Sequence, residues 1–250
     1  QKAYLRWLVA GLNEFDNLLY EISNETHPNS TDWQYQMIRF VKECEQSLPK
    51  KHPVGMTYQN RRGTNEALFN GPADWISPNP GGGFKDDPPD MQGRKVVLSD
   101  TDHLWGIGGN AGWVWKSFLR GLNPIFMDPY DGRVLSRGAD PQWPESVRQA
   151  LGHVLSWSRR VNLAAMAPHG ELASSKYCLA NPGVEYLIYR PASSANLTVK
   201  LPSGTFAVTW VDIANGREVP AEPVRNVGSQ YGFSSPFDGE GVLYLKASGR

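Results

Sequence analysis

Residues 15–27 read Phe-Asp-Asn-Leu-Leu-Tyr-Glu-Ile-Ser-Asn-Glu-Thr-His, and this stretch decides the fold. Its apolar part, Asn17 to Ile22, predicts a buried strand that ends abruptly in a polar tip at Asn24 and Glu25. Parallel α/β folds keep their functional sites at the carboxyl ends of their strands. The stretch therefore predicts a parallel sheet with Asn24 and Glu25 at its functional edge. Alternatively, the Asn-Glu pair only precedes and caps a helix that begins near Asp32.

Helix and strand patterns alternate on both sides of this stretch. Apolar residues recur at helical spacing in four segments, residues 2–13, 32–48, 111–122 and 144–163. Short apolar runs predict four further strands, at residues 52–58, 74–77, 95–100 and 124–128. Residues 60–73 are polar and turn-rich, and a Gly/Pro-rich run that includes Gly81-Gly82-Gly83 follows the strand at residues 74–77 and is interpreted as a substrate-facing loop. The alternation predicts an α/β fold with a parallel sheet or barrel.

The pattern changes after Met166. Short strand-like segments follow, separated by Asn-Pro-Gly, Pro-Ser-Gly and Asn-Gly turns, at residues 177–180, 185–189, 196–199, 205–212 and 241–246. Evenly spaced short strands with such turns are typical of an antiparallel β-sandwich. We therefore predict an α/β domain over residues 1–168 and a small all-β domain over residues 169–250.

Composition excludes several classes of partner. The chain has 250 residues, with 25 basic and 25 acidic side chains, so no electrostatic footprint for nucleic acid or an anionic membrane is visible. No apolar run is long enough to span a membrane. The two cysteines, Cys44 and Cys178, lack metal-type spacing and are predicted to be free, buried thiols. Nine Trp and ten Tyr would suit the apolar faces of sugar rings as well as a protein core.

The tip Ile-Ser-Asn-Glu, residues 22–25, resembles the Asn-Glu at the end of the fourth barrel strand in clan-A (β/α)8 glycoside hydrolases. This resemblance implies that Glu25 is the general acid/base and that Asn24 holds the sugar 2-hydroxyl. If the strand that contains Tyr20 is the fourth of a barrel, the strand at Lys95 counts as the seventh, and clan-A enzymes carry their nucleophile at the end of that strand.

The segment at this position, residues 98–106, reads Leu-Ser-Asp-Thr-Asp-His-Leu-Trp-Gly. Asp100 takes the aligned position and is narrowly favoured as the nucleophile. The clan pattern usually has Glu there, and Asp is one methylene shorter, so Asp102 is the second candidate. A third possibility is that the segment is an Asp-rich turn that caps the following helix.

Other side chains near strand ends are predicted to line the sugar site. They are aromatic rings that could stack on sugar faces, or polar groups that could bond hydroxyls: Tyr58, Trp75, His103, Trp105, Asp128 and Tyr130. Each of them alone could equally be structural, since a Trp at a strand end often packs and a His near a turn often bonds backbone. No Gly-rich phosphate loop, zinc spacing or Ser-His-Asp order is present, so no metal and no organic cofactor are expected.

Taken together, the chain resembles the C-terminal part of a bacterial clan-A-like glycoside hydrolase with an apiosidase-like catalytic domain, followed by a collagen-binding-type β-sandwich. The fold implied is a partial (β/α)8 barrel that lacks its first three strands. The activity implied is retaining hydrolysis of a plant-type polysaccharide or oligosaccharide. An alternative is a catalytically inactive carbohydrate-binding or assembly module derived from such an enzyme.

A partial barrel leaves an open sheet edge, and such an edge favours association. We therefore expect a homo-oligomer that covers the open edge through residues 2–13 and the first strand. The chain has no initiator Met and no signal segment in its first residues, so it reads as a fragment or a natural truncation. A secreted or periplasmic location is expected, and a cytoplasmic one stays open.

Overall fold

The computed structural model describes residues 1–60, 62–91, 93, 95–129, 143–193, 196–226 and 228–248. In the first part of the chain, helices and strands alternate as predicted, except that among the described residues no helix separates β3 from β4 and no strand separates α4 from α5. The helices are α1 Lys2–Leu12, α2 Thr31–Glu45, α3 Asn65–Asn70, α4 Thr101–Trp105, α5 Ala111–Leu119 and α6 Trp143–Arg160. The strands are β1 Tyr20–Glu21, β2 Val54–Thr57, β3 Trp75–Ser77, β4 Val96–Asp100 and β5 Asn123–Ile125.

These five strands form one parallel sheet in the order β1-β2-β3-β4-β5. Side chains alternate between its two faces. Val54, Met56 and Ile76 lie in the apolar core on the side that the helices cover, whereas Thr57 and Ser77 face the other way. The face that the helices cover is apolar, whereas polar side chains end β2 and β3 on the opposite face. Polar groups are therefore available at the carboxyl edge of the sheet.

Within the described residues the sheet does not close, and β1 and β5 are its two edges. The predicted parallel sheet is therefore confirmed, but a closed barrel is not seen. The first strand is much shorter than predicted, because only Tyr20 and Glu21 pair with β2. The polar, turn-rich segment 60–73 contains α3, a helix that was not predicted. That helix has only 6 residues, too few for a helical period to be visible in the sequence.

The second part of the chain is antiparallel, as predicted. A six-stranded sheet has the order β11-β10-β13-β8-β7-β6, and a two-stranded sheet pairs β12 with β9. The strands are β6 Ala167–Pro168, β7 Cys178–Asn181, β8 Glu185–Arg190, β9 Asn196–Leu201, β10 Gly204–Asp212, β11 Glu218–Asn226, β12 Ser229–Ser234 and β13 Gly241–Ala247.

Strands β11 and β12 were not predicted from the sequence. The first contains Pro220 and Pro223, which normally argue against a strand because proline cannot donate a ladder hydrogen bond. The position of β11 at the edge of its sheet explains why both prolines are tolerated. Gly232 similarly weakens the strand pattern of β12.

The six-stranded sheet is the middle layer of this region. One of its faces shares an apolar cluster with the two-stranded sheet, including Tyr186, Trp210 and Phe233. Its other face, including Tyr189, belongs to the same core as helices α5 and α6. The division of the chain into two domains near residue 168 stays a prediction.

Both cysteines are free: Cys178 is buried, as predicted, whereas Cys44 is only half-buried. No helix among the described residues combines the length and the apolar character that a membrane crossing needs.

Candidate functional site

The carboxyl ends of the first four strands bring a group of polar side chains together. Glu25 follows β1, Asn60 follows β2, Ser77 ends β3, and Asp102 and His103 follow β4. Because these strands are parallel and adjacent, the segments that leave them converge at one edge of the sheet.

Glu25 is held in an unusual backbone conformation with φ of 47°, which non-glycine residues adopt infrequently and which is enriched at functional sites. Its amide faces Thr57 Oγ1 at 3.4 Å. The side-chain amide of Asn60 donates to the Glu25 carbonyl at 3.0 Å and to Glu25 Oε2 at 3.2 Å. The Glu25 carboxylate therefore has a defined position, yet its side chain remains 28% exposed and open to a ligand.

His103 lies on the other side of this carboxylate. Its side chain is only 5% exposed, and its Nε2 is 4.0 Å from Glu25 Oε1. The hydroxyl of Ser77 shares a 2.7 Å hydrogen bond with His103 Nδ1, and the ring of Tyr58 packs on the imidazole with centroids 5.2 Å apart. These contacts fix the orientation of the imidazole, and one ring nitrogen points toward the carboxylate.

Asp102 completes the cluster. One carboxylate oxygen of Glu25, one of Asp102 and a ring nitrogen of His103 all lie within 4.8 Å of one another. Two carboxylates and an imidazole at such distances could share a proton or hold a divalent cation. Among the described residues, these three are the ones whose geometry would suit a metal ion.

Tyr58 connects the cluster to Asn60. Its hydroxyl donates to Asn60 Oδ1 at 2.7 Å, so Tyr58, Asn60 and Glu25 form a continuous chain of hydrogen bonds. Burial, and then the negative charges of Glu25 and Asp102, raise the pKa of Tyr58 above its usual value. The phenol therefore remains a protonated donor at neutral pH.

Asp100 has a different position from Asp102. It is the N-cap residue of α4, where its Oδ1 accepts a 2.9 Å hydrogen bond from the Asp102 amide. The helix that begins at Thr101 thus uses Asp100 as a cap and carries Asp102 into its first turn. Asn24, the other residue of the Asn-Glu tip, is exposed beside Glu25.

The remaining predicted site residues are not part of this cluster. Trp75 is buried and covers Gly55, where an added Cβ would come within 1.9 Å of the indole. Trp105 packs edge-on against Trp113, with ring centroids 5.3 Å apart. Asp128 forms an ion pair with Arg148 on α6. Tyr130 lies outside the described residues.

Three residues of the cluster were not predicted from the sequence: Thr57, Asn60 and Ser77. Thr57 and Ser77 are the last residues of β2 and β3, so a rule that inspects the last polar residue of every predicted strand would have found both. Asn60 lies three residues beyond β2, and its role depends on the path of a loop that sequence patterns do not predict.

No protein-family model and no curated protein matches the chain. The expected apiosidase-like and collagen-binding-type assignments therefore have no support from family models.

Several solved structures with a similar fold are described as glycoside hydrolases. One, described as a glycoside hydrolase, has a TM-score of 0.67 and 12% identity, over 100% of this chain and 69% of its own. A glycoside hydrolase of family 5 from Bacteroides vulgatus has a TM-score of 0.70 and 14% identity, over 100% of this chain and 66% of its own. A glucosidase from Croceicoccus marinus has a TM-score of 0.51 and 11% identity, over 100% and 75%. The chain thus spans about two thirds to three quarters of these proteins, and it has a glycoside-hydrolase-like fold.

Proposed function

We propose that the chain is a retaining glycoside hydrolase acting on a plant-type polysaccharide or oligosaccharide, with Glu25 as general acid/base and Asp102 as nucleophile. The separation of the two carboxylates carries this proposal, since oxygens of Glu25 and Asp102 approach within 4.8 Å. Retaining glycosidases hold their carboxyl groups about 5–5.5 Å apart, whereas inverting enzymes need about 6.5–9.5 Å to admit a water.

Asp102 suits the nucleophile better than Asp100, which the sequence pattern narrowly favoured. Asp100 uses its Oδ1 to cap α4 by accepting from the Asp102 amide, and among the described residues it is not one of the ligand groups that cluster with Glu25 and His103. The Asp102 carboxylate belongs to the same cluster as Glu25.

The neighbouring groups fit supporting roles in this reaction. Asn60 donates to Glu25 Oε2, so it would orient the carboxyl group that protonates the leaving oxygen. His103, oriented by Ser77, would offer a ring nitrogen toward the same carboxyl. Asn24 would bond the sugar 2-hydroxyl from its exposed position. None of these steps needs a metal or an organic cofactor. The glycoside-hydrolase-like fold agrees with the proposal.

The proposal is tested by a screen of aryl-glycosides together with soluble cellulose, xylan and mannan. At least one substrate should be hydrolysed, with product that first appears in the configuration of the substrate by NMR. Glu25→Gln should abolish this activity with little change in melting temperature. Glu43→Gln, at an exposed carboxylate of α2, is the matched control and should keep full activity. Retention of activity in Glu25→Gln would remove Glu25 from the mechanism.

A second candidate function is carbohydrate binding without turnover. It is favoured by the open parallel sheet, because β1 is an edge among the described residues and Glu21, on the inner side of that edge, is exposed. A site with one side open excludes water poorly, which would weaken acid/base catalysis. Saturable binding of a xylan or mannan oligosaccharide with no hydrolysis after prolonged incubation would favour this candidate over the enzyme.

A further inference from the structure

The cluster of Glu25, Asp102 and His103 has the composition of a site for a divalent cation. Its three ligand atoms, two carboxylate oxygens and one imidazole nitrogen, all lie within 4.8 Å of one another. Among the described residues, no lysine or arginine forms an ion pair with either carboxylate. Two like charges at such a distance disfavour each other, and an opposite charge nearby relieves this cost. A cation between the two carboxylates would therefore be stabilised.

His103 supplies a second and independent indication of a ligand. Its side chain is more than nine-tenths buried, and its Nε2 forms no hydrogen bond within the described part of the chain, since Glu25 Oε1 lies 4.0 Å away. Ser77 occupies the other ring nitrogen at 2.7 Å. The tautomer that donates from Nδ1 to Ser77 leaves a lone pair on Nε2, and ionised carboxylates cannot donate to it. Histidines that bind metals are typically oriented by such a bond at their second nitrogen.

The two oxygens of the Glu25 carboxylate have different surroundings. Oε2 accepts from Asn60 at 3.2 Å, so Oε1, which faces His103, is left for a ligand. Zn²⁺ binds histidine nitrogen and carboxylate oxygen at about 2.0–2.2 Å, so two of its tetrahedral ligands lie roughly 3.3 Å apart. The 4.0 Å between His103 Nε2 and Glu25 Oε1 must therefore close by less than about 1 Å. Rotation of the partly exposed Glu25 side chain allows such a change.

We propose that Glu25, Asp102 and His103 bind one divalent transition-metal ion, represented by Zn²⁺, and that the bound cation blocks hydrolysis. Imidazole is a ligand that suits Zn²⁺, whereas Mg²⁺ and Ca²⁺ prefer oxygen ligands. The blocking effect rests on the proposed function. A coordinated Glu25 cannot carry the proton that the leaving group needs, and a coordinated Asp102 cannot attack the anomeric carbon. The cation is therefore an inhibitor of this site and not its cofactor.

The first test is calorimetric titration of the chelator-treated chain with Zn²⁺. A Cys44→Ala background is used because Cys44 is a free, half-buried thiol that could itself bind zinc. One Zn²⁺ should bind per chain, and Mg²⁺ should bind at least about 10-fold more weakly. Ser77→Ala removes the bond that orients His103 and should weaken Zn²⁺ binding by about 10–100-fold. Asp102→Asn keeps the side-chain shape but loses the charge, and it should weaken binding at least as much.

His169→Ala is the matched control. His169 lies 2.9 Å from Glu171 in another histidine–carboxylate pair, which is more exposed and lies outside the cluster. This variant should keep the parent affinity, and circular dichroism should show the same fold in all the variants. The proposal would be overturned by the lack of saturable Zn²⁺ binding, by unchanged affinity in Asp102→Asn or Ser77→Ala, or by loss of binding in His169→Ala.

X-ray absorption spectroscopy of the Zn²⁺ complex identifies the ligand atoms directly. The spectrum should contain only nitrogen and oxygen ligands at about 2.0–2.2 Å, whereas a thiolate ligand would appear at about 2.3 Å. Cys178 remains in the Cys44→Ala background and is buried. A sulfur ligand in the spectrum would place the ion away from the cluster and would contradict the proposal.

Activity measurements separate this proposal from the proposed function. With an aryl-glycoside that the chain hydrolyses, Zn²⁺ should lower the rate at concentrations near the calorimetric dissociation constant, and EDTA should restore it. An active enzyme that does not bind Zn²⁺ would refute the cation site and leave the proposed function intact. A chain that binds Zn²⁺ at the cluster and hydrolyses nothing would refute the enzyme and leave the cation site intact. A rate unchanged by saturating Zn²⁺ would refute the blocking effect.

Discussion

The hydrogen bond between Ser77 and His103 offers a quantitative test of the cluster. Ser77 is 2% exposed and His103 is 8% exposed, so Ser77→Ala would leave His103 Nδ1 buried without this partner. Leaving a buried polar group unsatisfied costs about 1–3 kcal/mol. In a chain of this length that loss corresponds to a fall in melting temperature of roughly 2–4 °C per kcal/mol.

Ser99 on β4 provides the matched control. It is fully buried, and among the described residues its hydroxyl has no hydrogen-bond partner, so Ser99→Ala removes an unsatisfied group and should be neutral or slightly stabilising. Urea denaturation monitored by tryptophan fluorescence gives both changes in the free energy of unfolding. On the proposed mechanism, Ser77→Ala should also lower hydrolysis because His103 is no longer oriented. Equal destabilisation by the two substitutions would refute the reasoning.

Three further predictions concern the sheet, helix α6 and the buried histidine beneath β1. Gly55→Ala should destabilise the chain and displace Trp75, because the added Cβ would come within 1.9 Å of the indole; thermal denaturation and tryptophan fluorescence report both effects. Gly152→Ala should instead stabilise the chain by about 1 kcal/mol, because alanine is the best helix former and glycine is a poor one. The added Cβ has room, since outside the helix's own backbone no heavy atom of the described residues lies within 4 Å of its position. A buried hydrogen bond with Glu45 raises the pKa of His52. The stability from this pair should therefore be complete below about pH 6.5, the unfolded value, and decline as pH rises through the folded pKa. His52→Gln should abolish that pH dependence in denaturant titrations; an unchanged slope would contradict the assigned pair.

The fold was largely predictable because its elements carry strong local signals. Each of the five parallel strands was found from a short apolar run, although β1 proved to be only Tyr20–Glu21. The apolar segment before β1 forms no strand pairing among the described residues. Hydrophobicity alone does not tell whether an apolar segment pairs with a neighbouring strand. Strand β11 was not predicted because proline argues against a central strand. Pro220 and Pro223 are tolerated there because β11 lies at the edge of its sheet.

The candidate site was predictable only in part. The Asn-Glu tip identified Glu25, and the acidic turn after β4 identified both Asp100 and Asp102. Sequence could not choose between the two aspartates, because the choice depends on where α4 begins. Since the helix begins at Thr101, Asp100 becomes its cap, whereas Asp102 belongs to the cluster with Glu25. The orienting contacts from Asn60 and Ser77 join segments far apart in sequence, so no local pattern reports them.

The most direct test of the Glu25–Asp102 pair compares Asp102→Asn with Asp100→Asn on an activated aryl-glycoside, with and without azide. Asp102→Asn should lose hydrolysis, and azide should restore turnover by attacking the anomeric carbon in place of the missing carboxylate. Asp100→Asn should keep most activity, because asparagine caps a helix about as well as aspartate. Loss of activity in Asp100→Asn that azide restores, together with an active Asp102→Asn enzyme, would contradict the account.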